Sequence, residues 1–354
     1  MSSLLCAAAR EGMSLLRHAV RVRCVNASAR GYSATLMLAL LAASTMLPTA
    51  ALALDITASH VNPPGEPTYE AFRQMTEQLA GSDSGLRMQV YPRGQLGNEH
   101  DIIEQVRLGA ITMASVSTAA LSAFAPSVGV LDIPFLMRDH DRHPWVVADG
   151  PLGERVAKNV QRETGLVVIG WWSAGMRHVF TRQTPIRGPQ ELADLKIRVI
   201  QSQVYTDTFN GLGAKATPMP YGEVYTALAT GTVDAAENDV TGYRNMQFFE
   251  QAPELSLTGH FFLFKAVIVN RRAMEKLSTE QRAVFDKTFA EATGYQRELA
   301  ASLFLSDLQW LKDSARVNVT MPDREALEIA VKPVQDVYAR RFGRDFVNAI
   351  RNAR

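Results

Sequence analysis

LKIRVIQSQVYTDTFNGLGAKATPMPYGEVYTALATGTVDAAEND, residues 195–239, decides the fold class. Its opening LKIRV alternates in character and is rich in β-branched residues, which predicts a short strand with Arg198 near its end. Helical spacing takes over at 203–212, where Gly213 stops it; residues 215–219 read as a second strand, 221–230 as a helix closed by Gly231, and 232–237 as a third strand. Strands alternating with helices in this way imply an α/β protein with parallel strands and crossover connections. Such sheets bind ligands beyond the carboxyl ends of their strands. Arg198, the turn Pro218-Met219-Pro220-Tyr221 and the pair Glu237-Asn238 all fall at that edge, and a cation there needs an anion.

Upstream, residues 54–61 predict a strand ended by Asn62-Pro63-Pro64-Gly65, and 69–80 an amphipathic helix burying Phe72, Met75 and Leu79. A strand at 86–91, a helix at 99–108 and a strand at 112–117 complete a first α/β domain. The segment 131–137 is apolar but interrupted by Pro134, so it reads as a connector. After a helix at 153–163, residues 166–172 predict a buried strand; Ala174-Gly175 breaks it, and 176–181 resumes an extended pattern. The chain is expected to cross into a second domain there and to return along 259–270, GHFFLFKAVIVN, so that two crossings form a hinge. Ser278 and Gln281 predict a capping box opening a helix that runs to about residue 312, roughly 50 Å at the α-helical rise and long enough to lie across both domains. A short strand at 317–321 and helices at 324–341 and 345–352 finish the chain.

The 354 residues are 47% hydrophobic and 21% charged with a net charge of +1, which suits a globular protein and gives no electrostatic case for nucleic acid. Arg10, Arg17, Arg21, Arg23 and Arg30, then an apolar run at 34–47, Pro48 and Ala51-Leu52-Ala53 predict a secretory signal cleaved before Leu54, with the periplasm as destination. The competing reading is a membrane anchor over 36–54. Cys6 and Cys24 both lie in this leader, so no disulfide, thiol nucleophile or cysteine metal site is expected after it. His140 and His143 lack a third ligand at metal-site spacing, Gly211-Leu212-Gly213 lacks the third glycine of a dinucleotide turn, and no G-x-S-x-G is present. No metal and no cofactor are expected.

Pro185-Ile186 with Pro189, then LKIRV, GAKATPMP, EVYTAL and VDAAEN, resembles the solute-binding proteins of TRAP transporters, the DctP-like family that delivers organic acids to a membrane carrier. The likeness is specific in this block and extends more loosely from about Leu54 to the last helix. The family usually has Gly-Gln where this chain has Ala235-Ala236, and Pro where it has Asp239. The resemblance implies a two-domain periplasmic binding protein of class II type: a signal peptide at 1–53, domain I at 54–174 with 264–303 returning to it, domain II at 175–263 with about 304–325, and C-terminal helices at 326–354. It also implies that Arg198 grips a ligand carboxylate, where planar bidentate pairing favours arginine over lysine. Arg177 matches a second family arginine and Asn238 an asparagine that holds the carboxylate or its arginine. Tyr221 stands where relatives place an aromatic ring over the ligand, and Asn62 and Glu99 resemble cleft-facing positions of the first domain. Read without the resemblance, Arg198 is a surface residue paired with a neighbouring helix, Asn238 a helix cap and Tyr221 a helix-start staple.

The implied partners are a small organic acid (keto, dicarboxylic or aromatic carboxylate) and the two TRAP membrane subunits. Walls built from Met219 and Tyr221 with Trp172 and Phe262, and the polar glutamine lost at Ala235-Ala236, favour an acid of roughly four to eight carbons over a sialic or sugar acid. Two functions compete. A periplasmic lyase would need acid and base groups converging on the arginine; the motif block offers Glu237 without a histidine, and His178 beside Arg177 is its best rescue. A ligand sensor for a membrane kinase would share the fold.

Overall fold

The computed structural model describes residues 54–354. The expected signal peptide, its cleavage point and the competing membrane anchor lie outside the described residues, apart from Leu54 itself. No helix among the described residues is long and apolar enough to cross a membrane.

β1 (Leu54–Ser59), α1 (Pro67–Ala80), β2 (Leu86–Tyr91), α2 (Glu99–Leu108) and β3 (Met113–Ser117) follow the predicted alternation. β1 pairs in parallel with β2 on one side and β3 on the other. α2 starts at a capping box, in which Asn98 accepts from the backbone of Asp101 and the Asp101 carboxylate accepts from the Asn98 amide. After α3 (Pro151–Thr164) the chain enters β4 (Leu166–Thr181), then β5 (Lys196–Val199), α4 (Gln203–Gly211), β6 (Lys215–Pro218), α5 (Val224–Ala229), β7 (Ala235–Asn238), α6 (Val240–Asn245) and β8 (Glu254–Asn270). α7 (Thr279–Asp313), β9 (Asn318–Thr320), α8 (Arg324–Phe342) and α9 (Arg344–Arg351) complete it, and the Ser278–Gln281 capping box is present at the start of α7.

The strands form one mixed sheet in the order β2-β1-β3-β8-β4-β7-β5-β6, with β9 beside β8. β5 is parallel to β6 and β7, as the motif block requires, whereas β4 runs antiparallel to both β7 and β8. The sheet therefore has two parallel ends joined by two long antiparallel strands. Three expectations change. The two strands expected at 166–172 and 176–181 are one 16-residue strand, because Ala174-Gly175 is absorbed as a register shift between Ser173 and Met176 against β8. Gly175 takes φ +78°, where a Cβ would also crowd Asp239 at 3.0 Å. The helix expected at 221–230 opens with a 3₁₀ turn, and the strand expected from 232 begins only at Ala235.

Each end of the sheet buries both faces, so four apolar cores flank it. At the first end Trp172 is fully buried between Phe72 and Phe289, 5.0 and 6.0 Å away ring to ring, and its indole N–H donates to Thr293 at 2.9 Å. Truncating such a side chain costs about 3–5 kcal/mol. α7 packs on α1 and β4 at this end and on α6 and β9 at the other. Near its middle the Gln296 amide clasps Ser173 at the register shift, accepting from the Ser173 N–H at 2.9 Å and donating to its carbonyl at 2.7 Å.

Candidate ligand-binding site

The carboxyl ends of β5, β6 and β7 meet the first end of the sheet across a cavity of about 570 Å³, within the usual size of small-ligand sites. Asn62, Glu99, Arg177, Arg198, Tyr221 and Asn238 all line it. Strand geometry explains the second-end residues: Arg198 is one residue from the end of β5, Asn238 is the last residue of β7, and Met219 to Tyr221 follow β6.

The two arginines, both buried, are placed in opposite electrostatic situations. Arg177 Nε donates to Glu237 Oε2 at 2.7 Å, Nη2 to Oε1 at 2.9 Å and to the Glu237 carbonyl at 2.8 Å, and Nη1 to Asn238 Oδ1. Burial opposes its charge, but Glu237 outweighs burial and raises its pKa. Burial alone would raise Glu237 too; Arg177 brings it below the usual carboxylate range. Arg198 has no such partner among the described residues. Its Nε and Nη2 donate to the Met219 carbonyl at 3.0 and 2.7 Å, and its nearest carboxylate, Glu237, is 4.0 Å from Nη1. Burial pulls its pKa down to about 10, so it remains charged at neutral pH. The Met219 carbonyl occupies one edge of the planar guanidinium, and the Nη1–Nη2 edge keeps its donors for a planar anion.

A hydrogen-bond chain links the two ends of the sheet across the cavity. Asn238 Nδ2 donates to the Tyr221 hydroxyl at 3.2 Å, Tyr221 donates to Glu66 Oε1 at 3.1 Å, and Asn62 Nδ2 donates to Glu66 Oε2. Glu66 is buried; burial and then the nearby Asp239 push its pKa up to about 7. Asp239 caps α6 through the Gly242 N–H at 3.1 Å, and burial raises its pKa as well. Asn62 Oδ1 is buried without a partner among the described residues. On the same side Glu99 accepts from Lys265 Nζ at 2.9 Å and the Ser117 N–H at 2.8 Å; burial works against its charge, and Lys265 with these hydrogen bonds lowers its pKa nonetheless.

Glu66, Asp239 and Lys265 also line the cavity; Asp239 stands out in the sequence only as a departure from the family's proline, and Glu66 and Lys265 are not among the expected site residues. Lys265 carried a signal, a lone charge inside the apolar run GHFFLFKAVIVN. Glu66 carried a weaker one, a glutamate at a helix N-cap, where Ser, Thr, Asp or Asn is preferred; its side chain makes no capping bond. The apolar walls are Met219, Tyr221, Ile200, Leu263 and Phe304. Trp172 and Phe262, expected among them, lie in cores on either side of the sheet. Ala235 and Ala236 face two different cores and do not reach the cavity, so they subtract nothing from its polarity. The preference for a less hydroxylated acid loses that support.

A lyase reading fares no better. His178 is buried outside the cavity wall, accepts from the Gly259 N–H at 3.1 Å, and is held neutral by a pKa that burial and then His260 lower to about 3. The histidine near Glu237 is His260, 3.8 Å away and from β8 rather than the motif block, and it too lies outside the wall. No group of three metal-ligating side chains occurs among the described residues.

The profile of the DctP family, described as bacterial extracellular solute-binding protein, family 7, matches residues 58–341. A 2,3-diketo-L-gulonate-binding periplasmic protein of Escherichia coli is 32% identical over 268 residues, covering 75% of this chain and 81% of that protein. The C4-dicarboxylate-binding periplasmic protein of Rhodobacter capsulatus is 29% identical over 318 residues, 87% of this chain and 93% of its own. The crystal structure of a TRAP periplasmic solute-binding protein from Xanthobacter autotrophicus with bound β-D-galacturonate superposes with a TM-score of 0.78 at 31% identity, covering 84% of this chain and all of that one. The sheet with its two ends is thus the two-domain α/β fold of class II binding proteins, with the long helix spanning both domains.

Proposed function

The chain belongs to family 7 of the bacterial extracellular solute-binding proteins, the DctP family, and from that membership we propose that it is the extracytoplasmic receptor of a tripartite ATP-independent periplasmic transporter. It captures a small organic acid anion, closes around it and delivers it to the membrane subunits. The observation that carries this reading is Arg198, a buried guanidinium on the cavity wall with one donor edge free and no carboxylate at hydrogen-bond distance. An uncompensated buried cation is costly, and a ligand carboxylate seated on that edge removes the cost. Arg177 serves differently: committed to Glu237, it holds Asn238 through Oδ1, and Tyr221, Asn62 and Glu99 complete the wall. Among the described residues no histidine lines the cavity beside Arg198, which favours a receptor over an enzyme.

The cavity lies between the two ends of the sheet, and its walls come from both proposed domains, 54–174 with 264–303 and 175–263 with about 304–325. The register shifts between Ser173 and Met176 and between Arg177 and Val179 support a hinge at the first crossing. Residues 1–53 would direct export to the periplasm. The relatives named above bind a diketo sugar acid, a C4-dicarboxylate and a uronate, so membership specifies the carboxylate and leaves the rest of the ligand to the cavity wall. The test is a thermal-shift screen of refolded, ligand-stripped protein against organic acids. A true ligand at 100 times its dissociation constant stabilises by about 2.7 kcal/mol; no stabilisation by any carboxylate, or equal stabilisation in Arg198→Met, would remove the reading.

A further inference from the structure

Resting on the receptor reading above, we propose that Glu66, Asp239 and Asn62 form a second subsite that reads hydroxyl groups on the ligand and rejects a second carboxylate, making the preferred ligand a polyhydroxylated monocarboxylic acid. The argument begins with charge. Arg177 is spent on Glu237 and Lys265 on Glu99, so among the buried described cations of the wall Arg198 alone is left for an anion. One buried free cation matches one buried carboxylate; Arg93 also lines the cavity but is exposed to solvent.

The polar atoms across the cavity then decide what else the ligand carries. The Tyr221 hydroxyl and Asn62 Nδ2 already donate to Glu66, and Asn238 Nδ2 donates to Tyr221, which uses the hydroxyl and one N–H of each amide. The acceptors of this stretch of wall remain open. Asn62 Oδ1 is buried and unpartnered, each Glu66 oxygen receives one protein donor and keeps a second lone pair, and Asp239 Oδ1 is 3.8 Å from its nearest cation, Arg177 Nη1. A ligand hydroxyl supplies the hydrogen these acceptors lack. A second carboxylate would instead face the Glu66 and Asp239 carboxyl groups with no uncommitted buried cation beside them among the described residues, an arrangement by which a site disfavours a competitor. A purely aliphatic chain would leave Asn62 Oδ1 unsatisfied, and sites built to hydrogen-bond a hydroxyl discriminate strongly against analogues without one.

Calorimetry on the ligand-stripped mature chain with D-galactonate, succinate and hexanoate tests this. Wild type should bind galactonate at least a hundredfold more tightly than either of the others. Compared at pH 8, above the Glu66 pKa of about 7, Glu66→Gln should weaken galactonate at least tenfold and narrow the galactonate-to-succinate ratio, since it removes both an acceptor and the negative charge facing the second carboxylate. Asp239→Asn, which retains a capping side chain, should shift the ratio in the same direction and guards against misfolding of the first variant. Tighter binding of succinate than of galactonate in wild type, or a ratio unmoved in both variants, overturns the subsite while leaving the receptor reading intact. If none of the three acids binds, the subsite falls, and the wider carboxylate screen decides the receptor reading.

Discussion

Replacing each buried arginine with methionine should separate a structural guanidinium from a ligand-gripping one. Arg177 makes four hydrogen bonds to Glu237 and Asn238, and Glu237 is 1% exposed. Arg177→Met leaves that carboxylate buried without its partner, a loss of about 3–5 kcal/mol. Arg198 is the opposite case. Burial pulls its pKa down to about 10, a depression meaning that the fold disfavours the charged form by roughly 3 kcal/mol even with the Met219 carbonyl bonded. An uncharged methionine of similar length removes that penalty and leaves the Met219 carbonyl short of two donors, so Arg198→Met should range from unchanged to about 2 kcal/mol more stable. Its affinity for the acid should fall more than a hundredfold, because the ligand carboxylate would enter an apolar site unpaired. Urea unfolding of ligand-stripped protein at pH 7 reads the first quantity and titration calorimetry the second. The reasoning fails if Arg198→Met loses as much stability as Arg177→Met, or keeps its affinity within tenfold.

Tyr221→Phe deletes the hydrogen bond to Glu66 that crosses the cavity, and should speed ligand release about tenfold in stopped-flow competition; an unchanged rate would mean the bond is broken in the liganded state. Asp132 is buried with Oδ2 unpartnered, and burial raises its pKa to about 7. Between the ordinary carboxylate range and pH 7 the folded chain therefore holds more protons than the unfolded one, so stability falls as pH rises. Asp132→Asn should flatten that fall in melting curves from pH 5 to 7, and an unaltered slope would assign it elsewhere. Saturating ligand should reduce the radius of gyration in solution scattering, and superimposable curves with and without a bound acid would argue against closure.

Much of the fold was legible because periodicity and breakers act locally. β5, α4 and β6 stand almost where their residue patterns put them, and the Ser278–Gln281 box marks the start of α7. What misled was local chemistry whose meaning depends on a partner strand. Ala174-Gly175 looks like a stop, yet β8 lies opposite and takes up the irregularity, so β4 continues. In the candidate site, the placement of Arg198 and Asn238 at the cavity was legible because strand ends face the carboxyl edge of a parallel sheet, whereas a role for either is implied only by the resemblance. Ala235 and Ala236 were misread for a related reason: with helices over both faces of the sheet, alternate positions of β7 are core in either direction, and only its last residue emerges. The nearness of His260 to Glu237 comes from the pairing of β4 with both β7 and β8, which no single segment announces.

The clasp of Gln296 on Ser173 makes α7 a lever with its fulcrum near the midpoint. Seventeen residues extend on each side of Gln296 in the 35-residue helix, arms of about 26 Å at the α-helical rise. One arm is wedged by Phe285 and Phe289 into the first core, and the other rests on α6 through the ion pair of Asp307 with Arg244. Asp307 is eleven residues along, roughly 16 Å from the fulcrum. If the two ends of the sheet turn by about 10° around Ser173, a rigid rod held by the first end sweeps past the second by roughly 3 Å at that point, enough to part a hydrogen-bonded ion pair. Such a turn would thus be felt at the pair of half-buried Arg244 and buried Asp307, neither of which lines the cavity.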